Sequence, residues 1–234
     1  MLNFDNFLSD LSSLELSGTV FGNSGLGNIP EDQMPKVIAS VNSGLRLLYT
    51  KLLLKESFLI VAPLPLTTIY PLHSRYAISN TASNVPMDER FIEDTPEVPF
   101  IDDLIKVTNV WSTDGVKYPL NDLGQPGGMF TPSPNVFQLP QPMEDIKFSL
   151  SYQAAHPRVT LDTISLEIPQ LVEDPLRLYV AHKLLSGMGT ADATAKSQEH
   201  LAMFNMILKE YENADAFGLS AHTTLHKFNL RGFC

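Results

Sequence analysis

Cysteine is almost missing from this chain. The single one, Cys234, is the last residue, so no disulfide can form within the chain and a cysteine-rich zinc site is excluded. Long apolar runs are missing as well: the longest candidate, Ser57 to Pro63, is strand-sized, against the roughly 18 to 20 residues that a membrane-spanning helix needs. Met1 to Asp5 lack the basic start and apolar stretch of a secretory signal. These absences lead us to expect a soluble, unexported protein. Positive charge is also short. Sixteen Lys and Arg stand against 26 Asp and Glu, a net charge of −10, and the basic residues are scattered, with no cluster tighter than Lys51 and Lys55. Such a balance disfavours gripping nucleic acid through many phosphate contacts. DNA near this protein would be passed rather than held.

What is present is an ordinary globular balance, 44% hydrophobic and 18% charged, so most of the 234 residues should fold, as one domain with a tail. Phe4, Phe7, Leu8, Leu11 and Leu14 are spaced for a short amphipathic helix. Val37, Ile38, Val41, Leu45, Leu48, Tyr49, Leu52 and Leu53 form a longer stripe, with Pro30 and Pro35 suited to its start. Near the C-terminus, Asp174 to Leu185 and Thr190 to about Asn213 read as two helices joined through Gly187 and Gly189, with Thr190 as cap. On the second of them Leu201, Phe204, Leu208 and Tyr211 form one face. This helical hairpin is the element around which we expect the chain to be organised, with the 37–53 helix as its packing partner.

Between the helical parts the pattern becomes extended. Strands are expected at 58–61, 67–70, 104–111, 135–139 and 146–152. Asp114-Gly115 suits a type I′ hairpin turn. The fold class expected is α+β: a helical bundle formed by N-terminal helices and a C-terminal helical hairpin, with an inserted small antiparallel β region and an extended C-terminal tail. In residue terms this is a single domain over 1–213, helical over about 1–56 and 169–213 with a β-rich insert over about 57–168, followed by a docking tail over 214–234.

Signatures of chemistry are few. The glycine-rich loop at 18–28 has no Lys-Ser/Thr ending and follows no strand, so it reads as a connector rather than a phosphate site. There is no Gly-x-Ser-x-Gly and no His-Glu-x-x-His. His222 and His226 stand four apart without a third ligand. The acidic stretch of Asp88, Glu89, Glu93, Asp94, Glu97, Asp102 and Asp103 lacks EF-hand spacing and reads as a solvated loop. No catalytic residue, cofactor site or metal site is assigned. An alternative of a different class is a metal-dependent or small-molecule hydrolase that uses the 88–103 carboxylates with His73 or His156, and a third is an assembly chaperone absent from the finished particle.

The run Phe130 to Pro140, then Ser151-Tyr152-Gln153-Ala154-Ala155-His156-Pro157, then Leu166-Glu167-Ile168-Pro169 leading to Tyr179-Val180-Ala181, resembles the head-to-tail adaptor proteins of short-tailed bacteriophages, over roughly residues 30 to 213. The resemblance implies a non-enzymatic virion protein without a cofactor. It implies a ring of about twelve copies at the head-tail junction, assembled in the host cytoplasm, between the portal protein and the tail tube or nozzle, with the genome passing through an unspecific lumen. A ring subunit needs two different side faces. Met203 and Ile207, with Ala214, form a second row on the last helix that could serve a neighbour. The tail, with Phe217, Leu219, Leu225, Phe228, Leu230 and Phe233 in no clean period, reads as a segment that docks on its own domain or on a neighbouring chain, and the resemblance implies that it reaches the portal.

Overall fold

The computed structural model describes residues 1–22, 28–125, 127–144 and 146–217. They form two units: one from Met1–Leu54 and the part of the chain from His156 onward, the other from Lys55–Ala155.

In the first unit, β1 (Leu2–Asn3) leads directly into α1 (Phe4–Ser13), whose first turn is closed by the Asn3 side chain accepting from the Asn6 N–H at 3.0 Å. Asp5 lies in that turn, where a negative charge meets the positive end of the helix. Of the face that the apolar spacing defines, Phe4, Phe7, Leu8 and Leu11 are buried, while Leu14, which caps the C-terminal end of α1, is 60% exposed. α2 (Met34–Lys51) has Pro35 in its first turn, where the N–H that proline lacks would go unused. It buries Val37, Val41, Leu45, Leu48 and Tyr49. Asn42 then imitates a strand neighbour: its amide donates to Val159 O and accepts from Val159 N–H, both at 2.9 Å. This fixes an irregular stretch before β10 (Ser165–Leu166), which pairs antiparallel with β1.

α3 (Glu173–Ser186) and α4 (Ala191–Asn213) complete the unit. The Thr190 hydroxyl accepts from Ala193 N–H at 3.3 Å as the α4 cap, and Gly189, at φ +71°, makes the turn between the helices. Gly187 stays at φ −82°. Small residues let the two helices approach: Ser197 is buried, with its hydroxyl 2.9 Å from His182 Nδ1 and donating to His182 O at 3.1 Å. Phe204 packs on Tyr179 with centroids 5.3 Å apart. Phe204 and Leu208 are buried, while Leu201 and Tyr211 are half-buried.

α2 and α3 meet at Gly44. A β-carbon there would stand 2.7 Å from Leu176 Cδ1 and 3.0 Å from Tyr179 Cδ1, and Leu176 is fully buried with nowhere to retreat. Gly44→Val should therefore cost about 1 to 3 kcal/mol by overpacking, despite removing a helix glycine. Urea melts followed by circular dichroism give the number, and a variant as stable as the parent would show that the helices separate freely.

The second unit is built from sheet. β2 (Glu56–Val61), β4 (Ile92–Glu93), β5 (Leu104–Ser112), β6 (Lys117–Tyr118) and β9 (Phe148–Ala154) form a five-stranded antiparallel sheet in the order β4-β2-β9-β5-β6. β3 (Ile69–Pro71), β7 (Phe130–Ser133) and β8 (Val136–Gln138) form a three-stranded one in the order β3-β8-β7. The core is aromatic. Tyr70 meets Phe91 edge-on at 5.1 Å, Tyr76 stacks on Phe91 at 4.8 Å, and Phe137 packs on Phe148 at 5.9 Å. The buried Tyr70 hydroxyl has partners, accepting from Leu64 N–H at 3.1 Å and donating to Thr67 O at 2.8 Å, as a buried phenol requires.

Two expectations are corrected. The described residues hold four helices and three antiparallel sheets, so the chain is a sheet-rich α+β protein and not a helical bundle, closed by a C-terminal hairpin, with a small β insert. The physical reason is that the middle segment closes its own core: Leu59, Val61, Val110, Leu150 and the aromatic set above bury one another without help from a helix. α3 and α4 are two helices of one unit rather than the element that organises the chain. The second correction concerns Asp114-Gly115. Only Gly115 has positive φ, +84°, so the turn is not type I′. Gly115 N–H donates to Ser112 O and Ser112 N–H to Val116 O, a type I turn closed by a left-handed glycine.

Candidate functional surfaces

Four of the seven carboxylates of the acidic stretch, Glu93, Asp94, Asp102 and Asp103, have a polar partner. Asp94 accepts from Ser79 N–H at 2.8 Å, Ser79 Oγ at 2.5 Å and Phe100 N–H at 2.9 Å. Asp102 accepts from Ser74 N–H and Ser74 Oγ, each at 2.6 Å. Asp103 accepts from the Tyr152 hydroxyl at 3.0 Å. Glu93 pairs with Lys147 at 2.6 Å. Asp88 and Glu89 sit in a short 3₁₀ turn and are exposed, as is Glu97. The four partnered carboxylates tie separate segments of the unit to one another. Among the described residues no group of three His, Cys, Asp or Glu side chains is placed to hold a metal ion.

Ser74, His73 and Asp102 superficially assemble a nucleophile, base and acid, and the geometry is that of a turn. Asp102 binds the serine itself, His73 Nδ1 accepts from Arg75 N–H at 3.3 Å, and the Ser74 Oγ to Nδ1 distance is 3.5 Å. A base must be positioned to take the serine proton; here that proton goes to the carboxylate. His156 is equally engaged. Its Nε2 accepts from Glu167 N–H at 2.9 Å, which puts the ring proton on Nδ1, 2.5 Å from Pro157 O. Beside it, the Tyr49 ring meets the imidazole edge-on at 5.4 Å and its hydroxyl donates to Glu167 O. Burial, followed by the Glu167 charge, pushes the Tyr49 hydroxyl well above the usual tyrosine range.

Asp94 carries a pH dependence. Burial is the largest influence and pushes its carboxyl up, but the donors from Ser79 and Phe100 outweigh it and hold the group below the ordinary carboxylate range. A depressed folded value means stability that is present above the unfolded value and lost as pH falls through the folded one. Trp111, the single tryptophan, lies half-buried in β5 and reports on this unit. Urea melts followed by its fluorescence should weaken between about pH 5 and about pH 3. Asp94→Asn should be less stable at neutral pH and fall less steeply in acid. Parallel acid limbs in parent and variant would remove Asp94 from the account.

Arg90, the lone cation of the stretch, does not neutralise it. Its guanidinium donates to the carbonyls of Asn80 at 2.7 Å, Val85 at 3.0 Å, Ser83 at 3.1 Å and Ala77 at 3.4 Å. A second guanidinium, Arg177 on α3, is only 15% exposed and does collect acids. Its Nε is 3.1 Å from Glu15, with Asp174 at 2.8 Å, Glu173 at 3.7 Å and Asp10 at 4.0 Å. Burial first, then the charges of Asp10 and Asp174, raise the Glu173 carboxyl against the opposing pull of Arg177.

Apolar surface is exposed in each unit. On α4, Met203 is 42% and Met206 58% exposed, Ile207 is half-buried and Ala214 exposed. In the sheet unit, a groove of about 630 Å³ lies along β2, with Phe58, Ile60, Val98 and Ile101 among its apolar lining. Phe58 is 66% exposed. Of β2, β4 covers only Ile60 and Val61, so Glu56–Leu59 have a strand beside them on the β9 side alone. Of the candidate contact residues, Phe217 is half-buried against the Tyr211 ring at 5.7 Å. Leu219, Leu225, Phe228, Leu230 and Phe233 lie outside the described residues, as do Gly25 and Gly27 of the glycine-rich loop. Sequence reading did not find the open β2 edge, because that edge is set by how short β4 is.

Among the described residues no helix is long and apolar enough to cross a membrane. Comparison of the chain with models of protein families and with curated proteins finds no match.

Proposed function

We propose that the protein is a structural subunit of a head-to-tail connector ring of a short-tailed phage particle, placed between the portal and the tail tube or nozzle. The observation that supports this reading is that two unlike apolar surfaces stand open, one in each unit: the methionine row of α4 and the β2 groove. A closed ring joins different faces of successive copies, so each copy must present two surfaces that are not copies of each other. Met203 and Ile207 are the contact candidates on the first. The net charge of −10 fits the same role, since an acidic lumen repels phosphates and lets DNA slide without snagging.

Native mass spectrometry of the protein, alone and mixed with the portal ring of the same particle, tests the proposal. A monomer that forms assemblies of about twelve copies on the portal is the expected result. A chain that stays monomeric and ignores the portal would overturn it. Met203→Glu should lower ring yield without lowering the melting temperature, because the side chain it replaces is already wet.

A further inference from the structure

An exposed strand edge beside exposed apolar side chains is a surface that folded proteins normally cover. Glu56–Leu59 of β2 offer the backbone for one more strand. Phe58 and Ile60, two apart on the strand, share one face of it, and Val98 and Ile101 line the same groove. The groove is also acidic: Glu56, Glu93, Asp94, Glu97 and Asp103 line it, against one lysine, Lys55. An extended occupant should therefore carry alternate apolar side chains, positive charge and no carboxylate side chain.

One stretch of this chain has that composition. Residues 218–234 contain Lys227, Arg231, His222 and His226 and neither Asp nor Glu, in a protein otherwise rich in acid. Within it, Lys227-Phe228-Asn229-Leu230-Arg231 alternates polar and apolar residues with the period of a strand. We propose that residues 225–233 of one copy add as a strand to the open edge of β2 in a neighbouring copy. Phe228 and Leu230 then cover Phe58 and Ile60, and Lys227 and Arg231 meet the carboxylates of the groove. The inference rests on the ring reading in one respect, that the strand comes from a second copy, and it assigns the segment to the copy-to-copy joint rather than to the portal.

Cys234, one residue beyond the docking run and the single cysteine of the chain, makes the test direct. Full-length Val98→Cys/Cys234→Ser protein is mixed with isotopically labelled unaltered protein under mild oxidation, and linked peptides are identified by mass spectrometry. Val98 is 76% exposed, so the substitution does not threaten the fold. The expected result is a disulfide between position 98 of one copy and Cys234 of the other. Its yield should be at least tenfold above that from Leu123→Cys/Cys234→Ser, a control at a 91% exposed site away from the groove. Phe58→Glu should bring it down to the control level, and circular dichroism of that variant checks that the fold survives. Yields equal to the control would overturn the proposal. So would a disulfide formed only within one chain when Val98→Cys is made in protein that keeps Cys234. Native mass spectra of the same mixtures separate the two readings: rings without the 98–234 link reject the docking alone, and the link without portal-bound rings rejects the connector role alone.

Discussion

Arg177→Met should unfold or nearly unfold the helical unit at neutral pH. The guanidinium is the positive charge shared by Glu15, Glu173, Asp174 and Asp10. Asp10 and Asp174 are more than a third exposed, and their pairs with Arg177 contribute little. Glu15 and Glu173 are only 11% and 15% exposed. Removing one member of such a set leaves uncompensated charge away from water, a loss of about 3 to 5 kcal/mol, which is a large part of the stability of an ordinary domain. The pH dependence has a definite sign. The raised Glu173 carboxyl opposes folding while it is charged, so its unfavourable contribution disappears as pH falls through the folded value. In the variant that carboxyl has lost its cation, and the gap to the parent should be widest near pH 7 and narrow by about pH 5. Far-ultraviolet circular dichroism in urea at the two pH values measures it. A gap under about 1 kcal/mol at both would mean that water, rather than Arg177, neutralises these carboxylates.

Arg90→Ala should do comparable damage in the sheet unit by another route. Between Ala77 and Arg90 the chain has bends and one 3₁₀ turn but no strand, and four of its carbonyls point at one guanidinium. Hydrogen bonds to a charged group contribute about 1.5 to 3 kcal/mol each, though several to one group do not simply add. We expect a loss of about 3 kcal/mol or more in Trp111-detected melts, together with rapid glutamyl-specific proteolysis at Glu89 in native buffer. Arg90→Lys should rescue little, since an ammonium cannot reproduce a planar fork of five donors. Proteolysis as slow as that of the parent would show that the segment is held by its ends.

The contrast between these residues and the apolar ones explains what could be read before the structure. Phe4, Phe7, Leu8 and Leu11, or Val41, Leu45 and Leu48, sit at helical spacing because burial of a helix face is a local, periodic demand. The sheet order β4-β2-β9-β5-β6 is not local: β2 pairs with β9, from Glu56 with Gln153 to Val61 with Phe148, and nothing in the strand itself announces a partner so distant. β4 has two residues and β6 two, too short for any periodicity to register. That is why a sheet of five strands looked like a small insert. The acidic stretch was legible as composition and misleading as a unit. Asp94, Asp102 and Asp103 serve different turns, and Asp102 does so with left-handed backbone at φ +60°. Arg90 appeared as a lone counter-ion, although its partners are carbonyls, which a sequence displays at every residue and therefore marks nowhere.

β1 pairs with β10, Leu2 with Leu166, and Asn42 holds Val159. The helical unit is thus assembled from two stretches separated by the whole of Lys55–Ala155. On a ribosome, α1 and α2 emerge first and must wait, apolar faces uncovered, until α3 has been made. The sheet unit is contiguous and can close in the interval, bringing its own ends together through Lys55 O and Ala154 N–H at 3.0 Å. Its closure shortens the loop that the earlier helices must bridge, which makes the middle of the chain the part that schedules the folding of both ends.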